Sequence, residues 1–136
     1  MEEAEARRRL AGSKVARLAT VSAAGRPHVV AIVFALDGDT LYFVVDAKPK
    51  KTASLARLKN IAENPAVSVL VDHFEDDWTK LWWVRADGTA HIVTDNAGAE
   101  RAIDRLAKLY PQYVTDRPGG PVVAIHIDRL TGWTGA

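Results

Sequence analysis

Apolar and polar residues alternate along several short stretches of this chain. The pattern covers residues 14–22, 28–36 and 40–45, and the turn sequences AAGRP and DGD separate these stretches. Alternation predicts β-strands, and turns this short predict that the three strands are antiparallel neighbours. The second stretch is apolar on both of its faces, so we expect it to be covered on two sides.

Other stretches have helical spacing of their apolar residues. Helices are predicted over residues 2–11, 52–63 and 96–110, with Pro111 ending the last. Further strands are predicted over residues 66–73, 80–94 and the C-terminal PVVAIHIDRLTGW, and the long strand at 80–94 is expected to break at Asp87-Gly88. Six or so antiparallel strands in so short a chain avoid exposed edges best by closing into a barrel.

Composition narrows the class of protein. The 136 residues, 48% of them apolar, support one domain over residues 1–136. The chain has no cysteine, which excludes disulfides, thiolate nucleophiles and zinc ribbons. Eighteen basic and seventeen acidic residues give no overall field that attracts nucleic acid or an anionic membrane. The longest apolar run, Val29 to Leu36, is far shorter than the roughly 20 residues that span a bilayer. We therefore expect a cytoplasmic protein without nucleic-acid or membrane partners.

Residues 46–60, DAKPKKTASLARLKN, carry a local excess of positive charge. No acid follows Asp46, and five cations do: Lys48, Lys50, Lys51, Arg57 and Lys59. Thr52 is a suitable N-cap, which would place Lys50 and Lys51 beside free backbone N–H groups at a helix start. Helix starts of this kind bind phosphate or carboxylate. The alternative is a solvated basic surface, and the residues alone leave both interpretations open.

Two adjacent tryptophans, Trp82 and Trp83, are predicted to point to opposite faces of one strand. Only one of them can enter the barrel interior. The other would cover a partner subunit or a planar ring, or it would be buried under one of the chain's own helices. The four histidines lack metal-site spacing, and the chain has no phosphate-binding glycine motif and no nucleophile motif. We predict neither a metal site nor a catalytic side chain.

Together these stretches resemble the pyridoxamine-5′-phosphate-oxidase-like split-barrel superfamily. Within it, the chain resembles the branch of oxidoreductases that depend on the deazaflavin coenzyme F-420. The similarity runs from LATVSAAGRPHVVAIVF through LYFVVDAKPKKTASLARLKNIAENPAVSVLVD and LWWVRADGTA to IDRLTGW. It implies a six- or seven-stranded antiparallel split β-barrel, the FMN-binding split barrel, with about three flanking helices. It also implies a homodimer with the cofactor site at the subunit interface.

The resemblance also implies the residues of a cofactor site. Lys50, Lys51 and Thr52 would hold the phosphate, and Lys48, Arg57 or Lys59 would meet the carboxylates of an oligoglutamate tail. Main-chain contacts to the ring would come from Val30, Ala31 and Ile32 and from Val44, Val45 and Asp46.

Two departures from the family pattern refine the expected activity. The chain ends Gly132-Trp133-Thr134-Gly135-Ala136, without the C-terminal Arg/His pair that oxidases use for pyridoxamine phosphate. Of the family's RQVR strand only Val84-Arg85 remains, and Trp83 stands where flavin-binding members often have Gln. These departures disfavour pyridoxamine-phosphate oxidation and favour the deazaflavin branch over FMN.

The implied activity is hydride transfer from reduced F-420 to a small conjugated acceptor, with the cofactor supplying the chemistry and the protein supplying binding and orientation. Three alternatives remain open. The first is an FMN-dependent oxidoreductase of the same fold. The second is a non-catalytic protein that binds a cofactor or haem, and the third is an interaction domain without a small ligand.

Overall fold

The computed structural model describes residues 1–45 and 51–136, with side chains described throughout except at residues 51–55. Within these residues the α-helices are α1 (Glu3–Ala11), α2 (Lys51–Glu63), α3 (Asn96–Leu109) and α4 (Gln112–Thr115). The strands are β1 (Ala16–Val21), β2 (Pro27–Ile32), β3 (Ala35–Asp37), β4 (Thr40–Val44), β5 (Ala66–His73), β6 (Trp82–Ile92) and β7 (Val122–Thr134). A 3-10 turn, Trp78–Lys80, precedes β6. Of the helices that the structure describes, none has the length and apolar content to cross a membrane.

All seven strands join one antiparallel sheet in the order β2-β1-β5-β6-β7-β4-β3. The sheet curls around an apolar core, which confirms the split-barrel prediction. The single strand predicted over residues 28–36 is wrong in one respect, because the chain leaves the sheet at Val33 and Phe34. Its first half, β2, pairs with β1, and its second half, β3, pairs with β4. These halves lie at opposite edges of the sheet, so the interruption splits the barrel.

The core lies on the concave side of the sheet. Leu18, Phe43, Val69, Val84 and Ile125 are each at most 1% exposed and form its centre. Helices α1 and α2 close over this side with Leu10 and Ile61. A second apolar cluster lies under α3, whose Ala102, Ile103 and Leu106 pack near Val122. Strand β7 is therefore buried on both of its faces where it passes α3.

The long strand β6 continues through Asp87 and Gly88, where we expected a break. The register with β7 shifts at this point, so the irregularity is a β-bulge within one strand. A Cβ atom at position 88 would lie 2.4 Å from the His126 carbonyl oxygen. Glycine is required here because strands β6 and β7 approach too closely for a side chain.

Two helix boundaries differ from the sequence expectation. Helix α2 begins at Lys51, which places Thr52 inside its first turn and not at the N-cap. Helix α4, after Pro111, has no counterpart in the predicted elements. It is a single turn, too short to carry the periodic pattern on which helix prediction depends.

Candidate functional site

Two concave regions open beside β2 and include residues from the side of the sheet turned away from the core, which we call the outer face. Along β2 the side chains of Val30 and Ile32 turn inward, while Val29 and Ala31 turn outward. Val29 is 63% exposed. Val29 lines one of the two concave regions, and Ala31 lines the other.

The first region, which we call the arginine pocket, has a volume of about 340 Å³. Its walls are Val15, Ala31, Ile32, Val33, Val44, Arg57 and Tyr113. Arg57 extends from α2 and is the cation among these residues. Its Nε atom is buried and has no hydrogen-bond partner among the residues that the structure describes. Burial lowers the pKa of the Arg57 guanidinium from its ordinary value, because desolvation disfavours the charged form.

An unpaired buried donor on a cation is expensive, by about 1–3 kcal/mol or more. A bound anion would remove this cost by accepting the Nε–H and compensating the charge. The planar guanidinium presents paired donors that match phosphate or carboxylate. The arginine pocket is therefore suited to an anionic group.

The hydroxyl group of Tyr110 holds two walls of the arginine pocket in place. It accepts a hydrogen bond from the backbone N–H of Phe34 (3.2 Å) and lies 3.0 Å from the carbonyl oxygens of both Lys14 and Phe34. Lys14 precedes Val15, and Phe34 follows Val33. One side chain at the end of α3 thus fixes both loops that contribute apolar wall residues.

The second region, which we call the tryptophan groove, has a volume of about 530 Å³ and is largely apolar. It is lined by Arg17, Ala19, Val29, Ser68, Leu70, Asp72, His73, Phe74, Leu81, Trp82, Trp83, Arg85 and Trp133. Trp83 and Trp133 are paired residues of β6 and β7. The Arg85 guanidinium lies 5.8 Å from the centre of the Trp83 ring and forms an ion pair with Asp87 at 3.1 Å. Trp83 and Trp133 give the groove two aromatic surfaces beside a cation.

The pocket and the groove are neighbours. Val29 lines the groove and Ala31 lines the pocket, and two residues along one strand face are only about 7 Å apart. Arg17 is the β1 residue paired with Ala31, so it lies on the outer face between the two regions. No described acid lies within ion-pair distance of Arg17. An elongated ligand with an anion at Arg57 can therefore reach the groove along β2.

The two adjacent tryptophans do face opposite sides of β6. Trp82 packs against the barrel core at the start of β6, and Trp83 lies on the outer face. The Arg9 guanidinium lies 4.9 Å from the centre of the Trp82 ring. On the same ring His73 stacks with an interplanar angle of 18°. Trp83 lines the groove, as predicted for the tryptophan whose side chain does not enter the barrel interior.

The structure brings together four of the predicted cofactor residues, Ala31, Ile32, Val44 and Arg57, in the arginine pocket. The side chains of Val30 and Val45 pack into the core, which leaves only their main chain for contacts. Asp46, Lys48 and Lys50 lie outside the described residues. Lys51 and Thr52 lie in the first turn of α2, and their side chains are not among those described.

Sequence reasoning missed several wall residues. Val15 and Val33 fall within stretches predicted as strands but lie in loops in the structure, so the alternating pattern does not indicate which way their side chains point, and Tyr113 lies in a one-turn helix that the pattern does not predict. Trp133 carried no usable signal, because regular alternation with the inward Ile125 and Ile127 would turn it toward the core, and only the register shift between β6 and β7 places it beside Trp83 on the outer face. Among described residues, no three histidine or acidic side chains are grouped so that they could hold a metal ion.

Comparisons with known proteins identify the family and the fold. The sequence profile of the family described as pyridoxamine 5′-phosphate oxidase matches residues 2–134. A search of curated proteins finds no match.

Many solved structures are similar in fold. The conserved hypothetical protein Rv2991 of Mycobacterium tuberculosis is 24% identical, with a TM-score of 0.78 over 99% of this chain and 86% of that chain. An FAD-binding protein of Mesorhizobium loti is 25% identical, with a TM-score of 0.75 over 97% and 94% of the two chains. HutZ, the haem storage protein of Vibrio cholerae, is 16% identical, with a TM-score of 0.74 over 97% and 93%.

Proposed function

Because this chain belongs to the pyridoxamine 5′-phosphate oxidase family, we propose that it binds a phosphate-bearing flavin or deazaflavin cofactor with the phosphate at Arg57. The observation that carries the proposal is the buried Nε of Arg57, which no described residue pairs, inside a pocket of about 340 Å³. The similarity to an FAD-binding protein of Mesorhizobium loti supports a flavin-type ligand. Lys50, Lys51 and Thr52 remain predicted phosphate contacts, and Lys48 a predicted contact of the tail.

We propose coenzyme F-420 as the cofactor and FMN as the alternative. Trp83 offers an aromatic surface where flavin-binding relatives often supply an amide, so a ring reaching the tryptophan groove would stack and would gain no hydrogen bond there. The main chain of β2 and of the end of β4 borders the pocket and would contact the ring. The bound cofactor would supply hydride chemistry, and the conjugated acceptor would lie against Trp83 or Trp133.

We further propose that a second copy of the chain covers the outer face and completes the site. Large apolar side chains are exposed there: Val29 at 63%, Phe74 at 70% and Trp133 at 45%. Contiguous apolar surface of this kind marks an interaction site in proteins of this size. Arg17 and Arg85 share the face with Asp72 and Asp87, so two copies related by a two-fold axis can pair opposite charges.

The test is a titration of the purified protein with oxidised F-420 and, in parallel, with FMN. Cofactor fluorescence and the melting temperature are followed. We expect F-420 to bind more tightly than FMN. Arg57→Met keeps the length of the side chain and removes its charge, and we expect it to weaken binding about tenfold to a hundredfold, the value of a charge-assisted phosphate contact.

Arg8→Ala is the matched control, because it removes one exposed cation on α1 away from the pocket. Unchanged affinity in Arg57→Met would move the phosphate elsewhere, and preference for FMN would make this a flavin protein. Binding of neither cofactor would contradict the proposal and favour a haem-binding or interaction role. Sedimentation of the same sample measures the mass, and a monomer at these concentrations would contradict the second copy.

A further inference from the structure

Two arginine side chains line the tryptophan groove, Arg17 from β1 and Arg85 from β6. In the sheet, Arg17 is paired with Leu70 of β5, and Leu70 is paired in turn with Arg85. Paired residues of antiparallel strands turn their side chains to the same face. The three residues therefore form one row across three neighbouring strands, which we call the cross-strand row.

Burial of the adjacent residues shows which face the cross-strand row occupies. Each of its members is next along the chain to a residue of the barrel core that is 0% exposed: Leu18, Val69 and Val84. Successive residues of a strand point to opposite faces, so the row points away from the core. Trp83 lies two residues before Arg85 on β6 and shares this face, as does Trp133, its partner on β7. The two cations and the two aromatic rings thus belong to one surface.

The two arginines differ in whether a neighbour compensates their charge. The Nε of Arg85 lies 3.1 Å from a carboxylate oxygen of Asp87, and that carboxylate accepts a hydrogen bond of 2.7 Å from the Ser68 hydroxyl. Arg17 has no ion pair with any residue that the structure describes, and Asp72, the acid of the groove, lies beyond ion-pair distance from it. Of the two groove arginines, Arg17 is therefore the one whose charge is available to a ligand.

The spacing of the sheet sets the size of ligand that can use this charge. Neighbouring strands lie about 4.8 Å apart, so Arg17 lies about 10 Å from Arg85, across the apolar side chain of Leu70. A planar molecule stacked on Trp83 extends over Leu70 toward Arg17, within a groove of about 530 Å³. The planar guanidinium of arginine presents paired donors that match a carboxylate. The groove thus combines an aromatic surface at one end with a carboxylate-binding group at the other.

We propose that Arg17 determines acceptor specificity, and that the acceptor is a planar conjugated molecule that carries a carboxylate. The conjugated part lies against Trp83 or Trp133, and the carboxylate forms an ion pair with Arg17. This inference rests on the proposed reductase function and names the class of acceptor that the same site takes. Arg17 takes no part in the transfer of the hydride, so its effect belongs to acceptor binding.

The first test measures binding without turnover. Isothermal titration calorimetry compares 2-naphthoate with 2-naphthamide, which has the same ring and no charge, on the purified protein with and without bound cofactor. We expect the carboxylate to bind about fivefold to tenfold more tightly, less than a buried charge-assisted contact would give, because Arg17 is exposed to solvent. This preference should shrink when the salt concentration is raised about tenfold, because salt screens exposed charges.

Two substitutions test the assignment to Arg17. Arg17→Gln removes the charge and should weaken the binding of 2-naphthoate about fivefold to tenfold more than that of 2-naphthamide. Arg17→Lys keeps the charge and should retain most of the preference. Arg26→Gln is the matched control, because Arg26 is an exposed cation between β1 and β2 that lies outside the groove. It should bind both molecules like the wild-type protein.

The second test measures reduction by the protein loaded with reduced F-420, or with reduced FMN if that cofactor binds. 3-Benzoylacrylate and its ethyl ester are conjugated enones that differ in charge. We expect Arg17→Gln to raise the KM for the acid about fivefold to tenfold more than the KM for the ester. The kcat values for the acid and the ester should change alike, because Arg17 acts on binding. The comparison of the two acceptors within each variant cancels their difference in intrinsic reactivity.

Several results would overturn the proposal. Equal affinity of the wild-type protein for 2-naphthoate and 2-naphthamide would do so, as would a preference that persists in Arg17→Gln. A preference that is lost in Arg85→Gln and kept in Arg17→Gln would place the carboxylate at Arg85. Sedimentation is run on each variant, because an Arg17→Gln monomer that loses both molecules equally would show that Arg17 serves a subunit contact. If the wild-type protein prefers 2-naphthoate and reduces neither enone, the proposed reductase fails while the carboxylate site stands.

Discussion

Removal of one hydroxyl group, in Tyr110→Phe, tests whether the arginine pocket is built as described. The Tyr110 hydroxyl accepts from the Phe34 N–H at 3.2 Å and lies 3.0 Å from two carbonyl oxygens, of which its single proton can serve one at a time. Phe34 is 2% exposed, so water cannot replace the lost partner. The ring itself still fills its place in phenylalanine, so no cavity is expected.

The cost follows from these contacts. A buried N–H left without a partner costs about 1–3 kcal/mol, and the donated hydrogen bond adds about 1 kcal/mol. We expect a loss of about 2–4 kcal/mol in the free energy of unfolding, or a fall of about 8–16 °C in melting temperature for a chain of this size. Because the same hydroxyl fixes the loops at Val15 and Val33, cofactor affinity should fall several-fold too.

The assay is urea unfolding followed by tryptophan fluorescence, paired with the cofactor titration. Tyr42→Phe is the control, because Tyr42 is a half-buried tyrosine of β4 whose hydroxyl has no hydrogen bond to a described residue. It should change the free energy of unfolding by less than about 0.5 kcal/mol. A Tyr110→Phe protein equal in stability to Tyr42→Phe would refute the reasoning, and normal stability with lost affinity would point to direct contact between Tyr110 and the ligand.

Two further predictions concern stability. Gly88→Ala should lower the free energy of unfolding by about 1–3 kcal/mol or more, because its Cβ would lie 2.4 Å from the His126 carbonyl oxygen. Gly119→Ala is the control: a Cβ there has nothing within 4 Å, so the variant should be nearly neutral in the same urea assay. Burial raises the pKa of Tyr110 above 10.0, an effect that its backbone hydrogen bond with Phe34 partly offsets. As pH rises above about 10, Tyr110 loses its proton at a lower pH in the unfolded chain than in the folded chain. The contribution of the protonated hydroxyl to the free energy of unfolding is therefore present below that pH and is lost above it. The stability gap between wild type and Tyr110→Phe should thus narrow between about pH 8 and pH 11, and a constant gap would show that Tyr110 titrates alike in both states.

The sequence by itself determined the elements of the barrel. A two-residue period forces alternate side chains to opposite faces, so the strands and the separation of Trp82 from Trp83 follow from local geometry. The family's motifs added the closing of those strands into a split barrel. Local pattern could not show that the stretch 28–36 would divide at Val33, because both halves are extended and apolar and differ only in which strand they pair with.

The tertiary structure decided the site. The sequence shows a run of cations but does not indicate which of them binds an anion. Their charges are equivalent until folding buries some of the side chains and leaves others exposed. Folding placed Arg57 in one pocket with Ala31 and Val44 and buried its Nε, an environment that depends on how α2 packs on the sheet and that no local pattern specifies. In the same way, His73, Trp82 and Glu75 come together only because the end of β5 pairs with the start of β6. Local periodicity fixes the direction of a side chain, whereas its neighbours depend on the pairing of distant strands.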